Sequence, residues 1–97
     1  MSCYFIARIQ IHDETEYARY LDQCDAVFAQ FSGRYLAVDE TPVPLEGSPE
    51  TGRMVVIEFP DQAAFRRWYD SPEYRAILAH RLRGAHCTAS LVRGKTD

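Results

Sequence analysis

No stretch of this 97-residue sequence approaches the roughly 20 consecutive apolar residues that a membrane-spanning helix needs. The first residues, MSCYFIAR, carry no basic leader and reach Arg8 after a very short apolar run, so we expect no signal peptide and a cytoplasmic protein. The net charge is only −3. Such a mild acidic balance argues against non-specific binding of nucleic acid or of anionic membranes.

Residues for metal or redox chemistry are also scarce. The three cysteines, Cys3, Cys24 and Cys87, have no metal-like spacing, and we expect them to be reduced, small, buried residues. The three histidines stand at the ends of elements, with no fixed spacing to acids or cysteines. No segment resembles a nucleotide-binding loop or a Ser/His/Asp set. We therefore predict neither a metal site nor a cofactor.

What the sequence does contain is a succession of strand and helix patterns that fits one domain over residues 1–97. Residues of alternating polarity predict four strands. We place these strands at Cys3–Ile11, Arg34–Val38, Arg53–Phe59 and Cys87–Arg93.

The first helix is predicted by Asp13 and Glu16, which together resemble a capping box. Ser32 and Gly33 should end this helix, with Gly33 in the left-handed conformation. Apolar residues follow the cap at helical spacing, and we expect them to form one buried stripe that consists of Tyr17, Tyr20, Leu21, Cys24, Val27, Phe28 and Phe31.

Two shorter helices are predicted after the third strand. Pro60 stops the strand, and Asp61 caps a helix that begins at Gln62. Ser71-Pro72 then begins another helix, which Gly84 ends. The inward-facing residues of the two helices should be Ala64, Phe65, Trp68 and Tyr69, followed by Tyr74, Ile77, Leu78 and Leu82.

The order of these elements predicts a ferredoxin-like βαββαβ fold of the α+β class, with a four-stranded antiparallel sheet and the helices on one face. We interpret the two βαβ-like halves as placing the first and third strands at the centre of the sheet, parallel to each other. The first and last strands should be antiparallel. Cys3 and Cys87 would then begin at opposite ends of the sheet, beyond the reach of a disulfide.

The sheet face without helices is predicted to be mixed in polarity. This mixture is too apolar to be left in water and too polar for a plain core. We infer that two sheets pack face to face as a homodimer and enclose the polar side chains. The residues of this face are Tyr4, Ile6, Met54 and Val56 together with Arg8, Gln10, Glu58, and Thr88 or Ser90.

Several short motifs resemble a known family, namely GRYL (33–36), LEG (45–47), VVIEF (55–59) and WYDSPEY (68–74), followed by Arg81. The sequence resembles, nearly end to end, the family catalogued as domain of unknown function 1330. The resemblance implies the dimeric α+β barrel superfamily, whose members include cofactor-free monooxygenases, muconolactone-isomerase-like and chlorite-dismutase-like enzymes, and proteins with no known reaction. The family usually shows GGRYLARGG, whereas this chain has SGRYLAVDE, so Val38-Asp39-Glu40 stands in place of Arg-Gly-Gly. Any anion-binding role of that arginine and its glycines is therefore not expected to carry over to this chain.

Three charged residues near the sheet are candidates for ligand binding. Glu58 and Arg8 should share a face, where the carboxylate could be a general base or a ligand anchor, or the two could form a structural ion pair. Arg34 begins the second strand beside the end of the first helix. It could bind a substrate carboxylate or neutralise the helix terminus.

Three further candidates lie in the predicted helices. Core packing is the default for at least two of Trp68, Tyr69 and Tyr74, whereas the Tyr74 hydroxyl could reach a cleft. Arg81 lies two turns beyond Tyr74 on an otherwise apolar stripe, so it requires a partner. Glu58, Glu46 and a bound anion are the candidates for that partner.

The predicted function is the binding of a small, partly apolar molecule, which could be anionic, in a pocket on the sheet face. Acid/base chemistry by Glu58 is one possibility, and a non-catalytic ligand-binding or regulatory module is the alternative. Binding of RNA is disfavoured because RMVVIEF (53–59) lacks the glycine and aromatic residues of an RNA-recognition strand. The loop Asp39–Gly52 could be an ordered lid, a subunit contact or a disordered connection.

Overall fold

The computed structural model describes residues 1–47 and 51–96. Its elements confirm the predicted order and most of the predicted bounds. No helix within these residues is long and apolar enough to cross a membrane. The elements are β1 Cys3–Ile11, α1 Glu14–Phe28, β2 Arg34–Asp39, β3 Arg53–Phe59, α2 Gln62–Tyr69, α3 Pro72–Gly84 and β4 Ala85–Arg93.

The four strands form one sheet in the order β2-β3-β1-β4, in which every neighbouring pair is antiparallel. The prediction that β1 and β3 are central is confirmed, but the prediction that they run parallel is wrong. The α1 crossover returns β2 parallel to β1, and β3 then runs back along β2. It therefore meets β1 in the opposite direction.

Each helix begins at the predicted cap. The side chain of Asp13 accepts a hydrogen bond from Glu16 N at 3.1 Å, and that of Asp61 accepts one from Ala64 N at 2.7 Å. Ser71 Oγ accepts a hydrogen bond from Tyr74 N of α3, and proline occupies the first helical position. These local hydrogen bonds fix where the helices start, because they satisfy N–H groups that have no partner within the helix.

The predicted role of Gly33 as a left-handed cap is wrong. Helix α1 ends at Phe28, and among the described residues only Gly47 and Gly52 have positive φ. A Cβ at position 33 would instead lie 2.6 Å from Phe59 Cε1 and 2.7 Å from Phe28 Cζ. Gly33 is therefore required for close packing and not for backbone conformation.

The hydrophobic core lies between the sheet and the helix layer. Most residues of the predicted stripes are buried or partly buried, but Leu21 and Leu82 are 39% and 58% exposed. In α3 the position predicted for Leu82 is taken by Arg81, which is buried. Helix α3 packs closely on α1 at Gly84, where an added Cβ would lie 2.8 Å from Tyr17 N.

Helices α1 and α3 are also joined by a charged cluster at their edge. Glu16 Oε2 lies 2.6 Å from His80 Nδ1 and accepts a hydrogen bond from Arg83 Nε at 3.1 Å. Its other oxygen accepts from Arg19 Nη1 at 2.8 Å. The hydrogen bond with His80 is the main cause that holds the pKa of Glu16 below its usual value. This cluster ties the first turn of α1 to the last turns of α3.

Candidate functional site

The structure separates the six predicted site residues into two groups on opposite sides of the sheet. Arg8, Arg34 and Glu58 lie on the face without helices, called the open face below. The other three, Trp68, Tyr74 and Arg81, are buried in the helix layer. The six residues therefore do not form one site, and each group needs its own account.

On the open face Arg34 and Glu58 form an ion pair. The register places them opposite each other, and Arg34 Nη2 donates to Glu58 Oε1 at 2.8 Å. A hydrogen bond with Glu58 is also the main cause that raises the pKa of Tyr4, its partner on β1. The Arg34 side chain is 71% exposed, and an ion pair as exposed as this contributes little to stability.

Arg8 shares the open face with Glu58, as predicted, but the register places it opposite Met54. Arg8 Nη2 lies 3.4 Å from Met54 Sδ. Met54 is four residues from Glu58 along β3, a separation of about 13 Å. The two charges therefore lie towards opposite ends of the open face.

An open cleft lies beside Arg8 and Met54. The segment Pro42–Gly47 forms its other wall, and the cleft has a volume of about 500 Å³. In this segment Val43 and Leu45 are 78% and 88% exposed. The predicted loop Asp39–Gly52 includes residues 48–50, which lie outside the described residues. Its role as a lid or as a subunit contact remains a prediction.

On the other side of the sheet, β1, β3 and the helices enclose a small cavity. The space open to the centre of a water-sized molecule is about 20 Å³, and roughly 10–15 Å³ is enough to hold one water. We call it the helix-side cavity. Its lining consists of Phe5, Ala7, Ile9, Tyr17, Tyr20, Cys24, Tyr35, Arg53, Val55, Ile57, Trp68 and Arg81.

Arg81 is the most unusual residue of this lining. It is 3% exposed, and its Nε and Nη1 have no hydrogen-bond partner among the described residues. The guanidinium carbon lies 5.9 Å from the centre of the Tyr20 ring. The prediction that Glu58 or Glu46 pairs with Arg81 is wrong. Glu58 is bound to Arg34 on the open face, and Glu46 lines the open cleft.

Two other side chains of the same cavity have donors without partners. Trp68 Nε1 and Arg53 Nε are both buried, and neither has a hydrogen-bond partner within the described chain. With the two atoms of Arg81 they make up all the unpartnered buried side-chain polar atoms that the structure describes. Each is an N–H group that can donate but not accept. Three residues that line the helix-side cavity therefore bring four unpartnered donors to it.

The tyrosines around the cavity do not supply a negative charge. The hydroxyls of Tyr20 and Tyr74 lie 2.8 Å apart and are hydrogen-bonded to each other. Burial is the main cause that raises the pKa of both, and it raises the pKa of Tyr17 to about 12. For Arg81 burial lowers the pKa, but neighbouring groups such as Tyr74 outweigh it and the net shift is upward. Arg81 is thus a buried cation that is hydrogen-bonded to the phenol of Tyr74 and has no carboxylate partner among the described residues.

Tyr17 and Tyr20 were predicted to lie in the core, and Arg53 was not among the predicted site residues. The signal for Arg53 was present, since it alternates with Val55 and Ile57 and therefore faces the helices with them. A charge at that position in the alternation marks the end of the apolar layer. The tyrosines carried no comparable signal, because their spacing is that of ordinary core residues.

The structure can be compared with the metal and disulfide predictions within the described residues. No group of three or more His, Cys, Asp or Glu side chains in residues 1–47 and 51–96 could hold a metal ion. All three cysteines are free. Cys3 pairs with Arg93 and Cys87 with Ile9, so the expectation that Cys3 and Cys87 begin at opposite ends of the sheet is confirmed.

The model of a family described as Domain of unknown function (DUF1330) matches residues 2–95. This chain belongs to that family. The match confirms the resemblance inferred from the sequence motifs. A search of curated proteins found no match to this DUF1330 chain.

Solved structures give the same fold for this DUF1330 chain. A protein of unknown function from Rhodopseudomonas palustris, RPA0582, has a TM-score of 0.79 at 17% identity, over 99% of this chain and 84% of that one. A dimeric ferredoxin-like protein of unknown function from Thermobifida fusca has a TM-score of 0.65 at 18% identity, over 94% of this chain and 89% of that one. SnoaB, a cofactor-independent oxygenase from Streptomyces nogalater, has a TM-score of 0.66 at 18% identity, over 99% of this chain and 95% of that one. At such identities the likeness shows the ferredoxin-like fold alone.

Proposed function

We propose that this protein binds a small molecule through an anionic oxygen group, in the helix-side cavity of each chain. The observation that carries this proposal is Arg81, a cation that is 3% exposed and has two N–H groups without partners. Burial of an unpaired charge costs several kcal/mol. A bound carboxylate or oxyanion would offset that cost and accept the free hydrogen bonds.

The lining of the cavity restricts the ligand further. With about 20 Å³ open to the centre of a water-sized molecule, the cavity as it stands holds little more than one water. The walls near it include Phe5, Ile9 and Ile57, which are apolar. The chemistry of this lining suits a small carboxylate with a short apolar part, and even such a ligand requires the surrounding side chains to move.

We propose binding and not acid/base catalysis at this cavity. Its ionisable lining includes arginines and tyrosines, and the pKa of Tyr17 and of Tyr20 is raised by burial. Such groups are poor proton acceptors at neutral pH. Glu58, the candidate base, lies on the open face, where Arg34 already occupies one of its oxygens. We propose that Glu58 anchors polar groups there.

We also propose that the open face forms a homodimer interface. Ile6, Met54 and Val56 of this face are half-buried in the single chain, and Val92 is 43% exposed. A second open face would cover these apolar residues and enclose Arg8 and Glu58. The Thermobifida fusca relative is described as dimeric, which supports the same assembly here.

Trp68 makes the anion proposal directly testable. It is the only tryptophan in the sequence, so the protein has a single indole N–H signal, and that N–H is one of the unpartnered donors. Sodium acetate is titrated against ¹⁵N-labelled protein at constant ionic strength, with sodium chloride replaced by acetate. We expect a saturable shift of the indole signal.

The variants of this titration separate a specific site from a general charge effect. Arg81→Met should weaken acetate binding at least tenfold, because it removes the buried positive charge. Arg67→Met removes an exposed arginine of α2 and should bind acetate as the unmodified protein does. An indole response that is the same in both variants contradicts the proposal. In that case the cavity would be interpreted as holding a water molecule and not an anion.

A further inference from the structure

A second arginine reaches from the helix-side cavity to the surface. Arg53 is the first residue of β3, lines the cavity, and has a buried Nε without a partner among the described residues. Its side chain is 17% exposed, and Nη1 donates to Glu40 Oε1 at 2.8 Å. One guanidinium thus has an unsatisfied inner end and an outer end held by a carboxylate.

Arg53 and Arg81 act on the same part of the cavity. Burial raises the pKa of Tyr17, and the charges of Arg53 and Arg81 are the two largest influences that oppose this shift. Both guanidiniums therefore lie within electrostatic reach of one buried phenol. Only Arg53 has an acidic partner among the described residues.

The ion pair that holds Arg53 is easy to displace. Glu40 is 65% exposed, and solvent and salt screen a pair at such a site, so that its net contribution is small. An anion inside the cavity would interact with Arg53 in a medium of lower dielectric, where the attraction is stronger. The balance between the two carboxylates therefore depends on whether the cavity is occupied.

We propose that Glu40 competes with the bound anion for Arg53, so that Glu40 sets the affinity of the cavity. This inference rests on the proposed function. When the anion binds, Arg53 turns towards the cavity and Glu40 is released. The release reaches the adjoining residue Thr41, whose N–H donates to Asp39 Oδ1 at 2.9 Å at the beginning of the loop.

The test compares two loop acids with the same change of charge. Glu40→Gln removes the competing carboxylate, whereas Glu46→Gln removes a carboxylate that lines the open cleft. Acetate is titrated at constant ionic strength, and the Trp68 indole signal and the Thr41 amide signal are followed. We expect Glu40→Gln to bind acetate about two- to fivefold more tightly than Glu46→Gln. In the unmodified protein, Thr41 should shift with the same Kd as Trp68.

A double-variant cycle isolates the contact between the two residues. Arg53→Met should weaken acetate binding, and in that background Glu40→Gln should no longer change the Kd. If Glu40→Gln and Glu46→Gln bind acetate equally, or Glu40→Gln binds it more weakly, the competition is overturned and the cavity proposal stands. If acetate shifts the indole signal of Arg81→Met with the same Kd as that of the unmodified protein, both proposals fail.

Discussion

The two faces of one sheet treat arginine in opposite ways. On the open face Arg34 is 71% exposed and is paired with Glu58, and on the helix side Arg81 is 3% exposed and has no acidic partner in the described chain. The exposed pair needs no ligand, because water and a carboxylate already solvate it. The buried cation costs stability where it stands. This difference is the reason why we propose the anion site on the helix side of the sheet.

Neighbouring residues of β3 should show the largest contrast between the faces. Phe59 is 0% exposed and packs against Phe65 and Trp68 in the core. Phe59→Ala should lower the free energy of unfolding by about 3–5 kcal/mol, as measured by urea denaturation. A decrease of less than about 0.5 kcal/mol, as expected for an exposed residue, would show that the helix layer is not packed on the sheet as described.

Removal of the buried charge should have the opposite sign. Arg81→Met removes two buried N–H groups that have no partner and should raise the free energy of unfolding by about 1–3 kcal/mol in the absence of ligand. Arg34→Met is the matched control on the open face and should change it by less than ~1 kcal/mol. If Arg81→Met destabilises the protein, Arg81 has a structural partner and the comparison of the two faces fails.

The open face can be tested through the dimer. Val56→Asp places a charge in the proposed interface, and we expect the dissociation constant of the dimer to rise at least ~30-fold. Sedimentation at micromolar concentration measures this change, and circular dichroism should show an intact fold. A monomeric unmodified protein would refute the proposed interface.

The pH dependence of stability should follow Glu16 at the edge between α1 and α3. Since its folded pKa is lowered, chiefly by His80, its contribution is fully present above the unfolded pKa of about 4.3. It is lost as the pH falls through the folded pKa. Glu16→Gln should therefore flatten the acid side of the stability profile. An unchanged acid side would contradict this assignment.

The smallest effect is expected for Glu58→Gln. The pair with Arg34 is exposed, so the free energy of unfolding should change by no more than ~1 kcal/mol, whereas Phe59→Ala next to it has a large effect. Thermal denaturation measures the change. A loss of several kcal/mol would return Glu58 to a structural role and remove the contrast between the faces.

Local signals in the sequence predicted most of the fold. The caps at Asp13, Asp61 and Ser71 act within four residues of chain, so they could be recognised without the rest of the protein. The direction of β3 relative to β1 depends on the path of the chain between them, and the periodicity of a strand carries no direction. Gly33 is required by the distant Phe59 ring, a contact that no local pattern records.

The sequence did not show on which side of the sheet each candidate site residue lies. Trp68, Tyr74 and Arg81 were grouped with Glu58, which the structure places on the other face. The rotation of α3 decides which residue points inward. Gly84 packs closely on α1, a contact between distant segments that no local pattern records, and in this arrangement Arg81 is buried and Leu82 is exposed.

Strand β1 is synthesised before β3 and β4, yet it lies between them in the interior of the sheet. It pairs with β3 on one side and with β4, Ala85–Arg93, on the other. During translation one edge of β1 therefore stays open until β4 has left the ribosome. Contacts between such distant segments slow folding, and an open edge invites pairing with other chains. Chaperones that shield the nascent chain should matter most before β4 emerges.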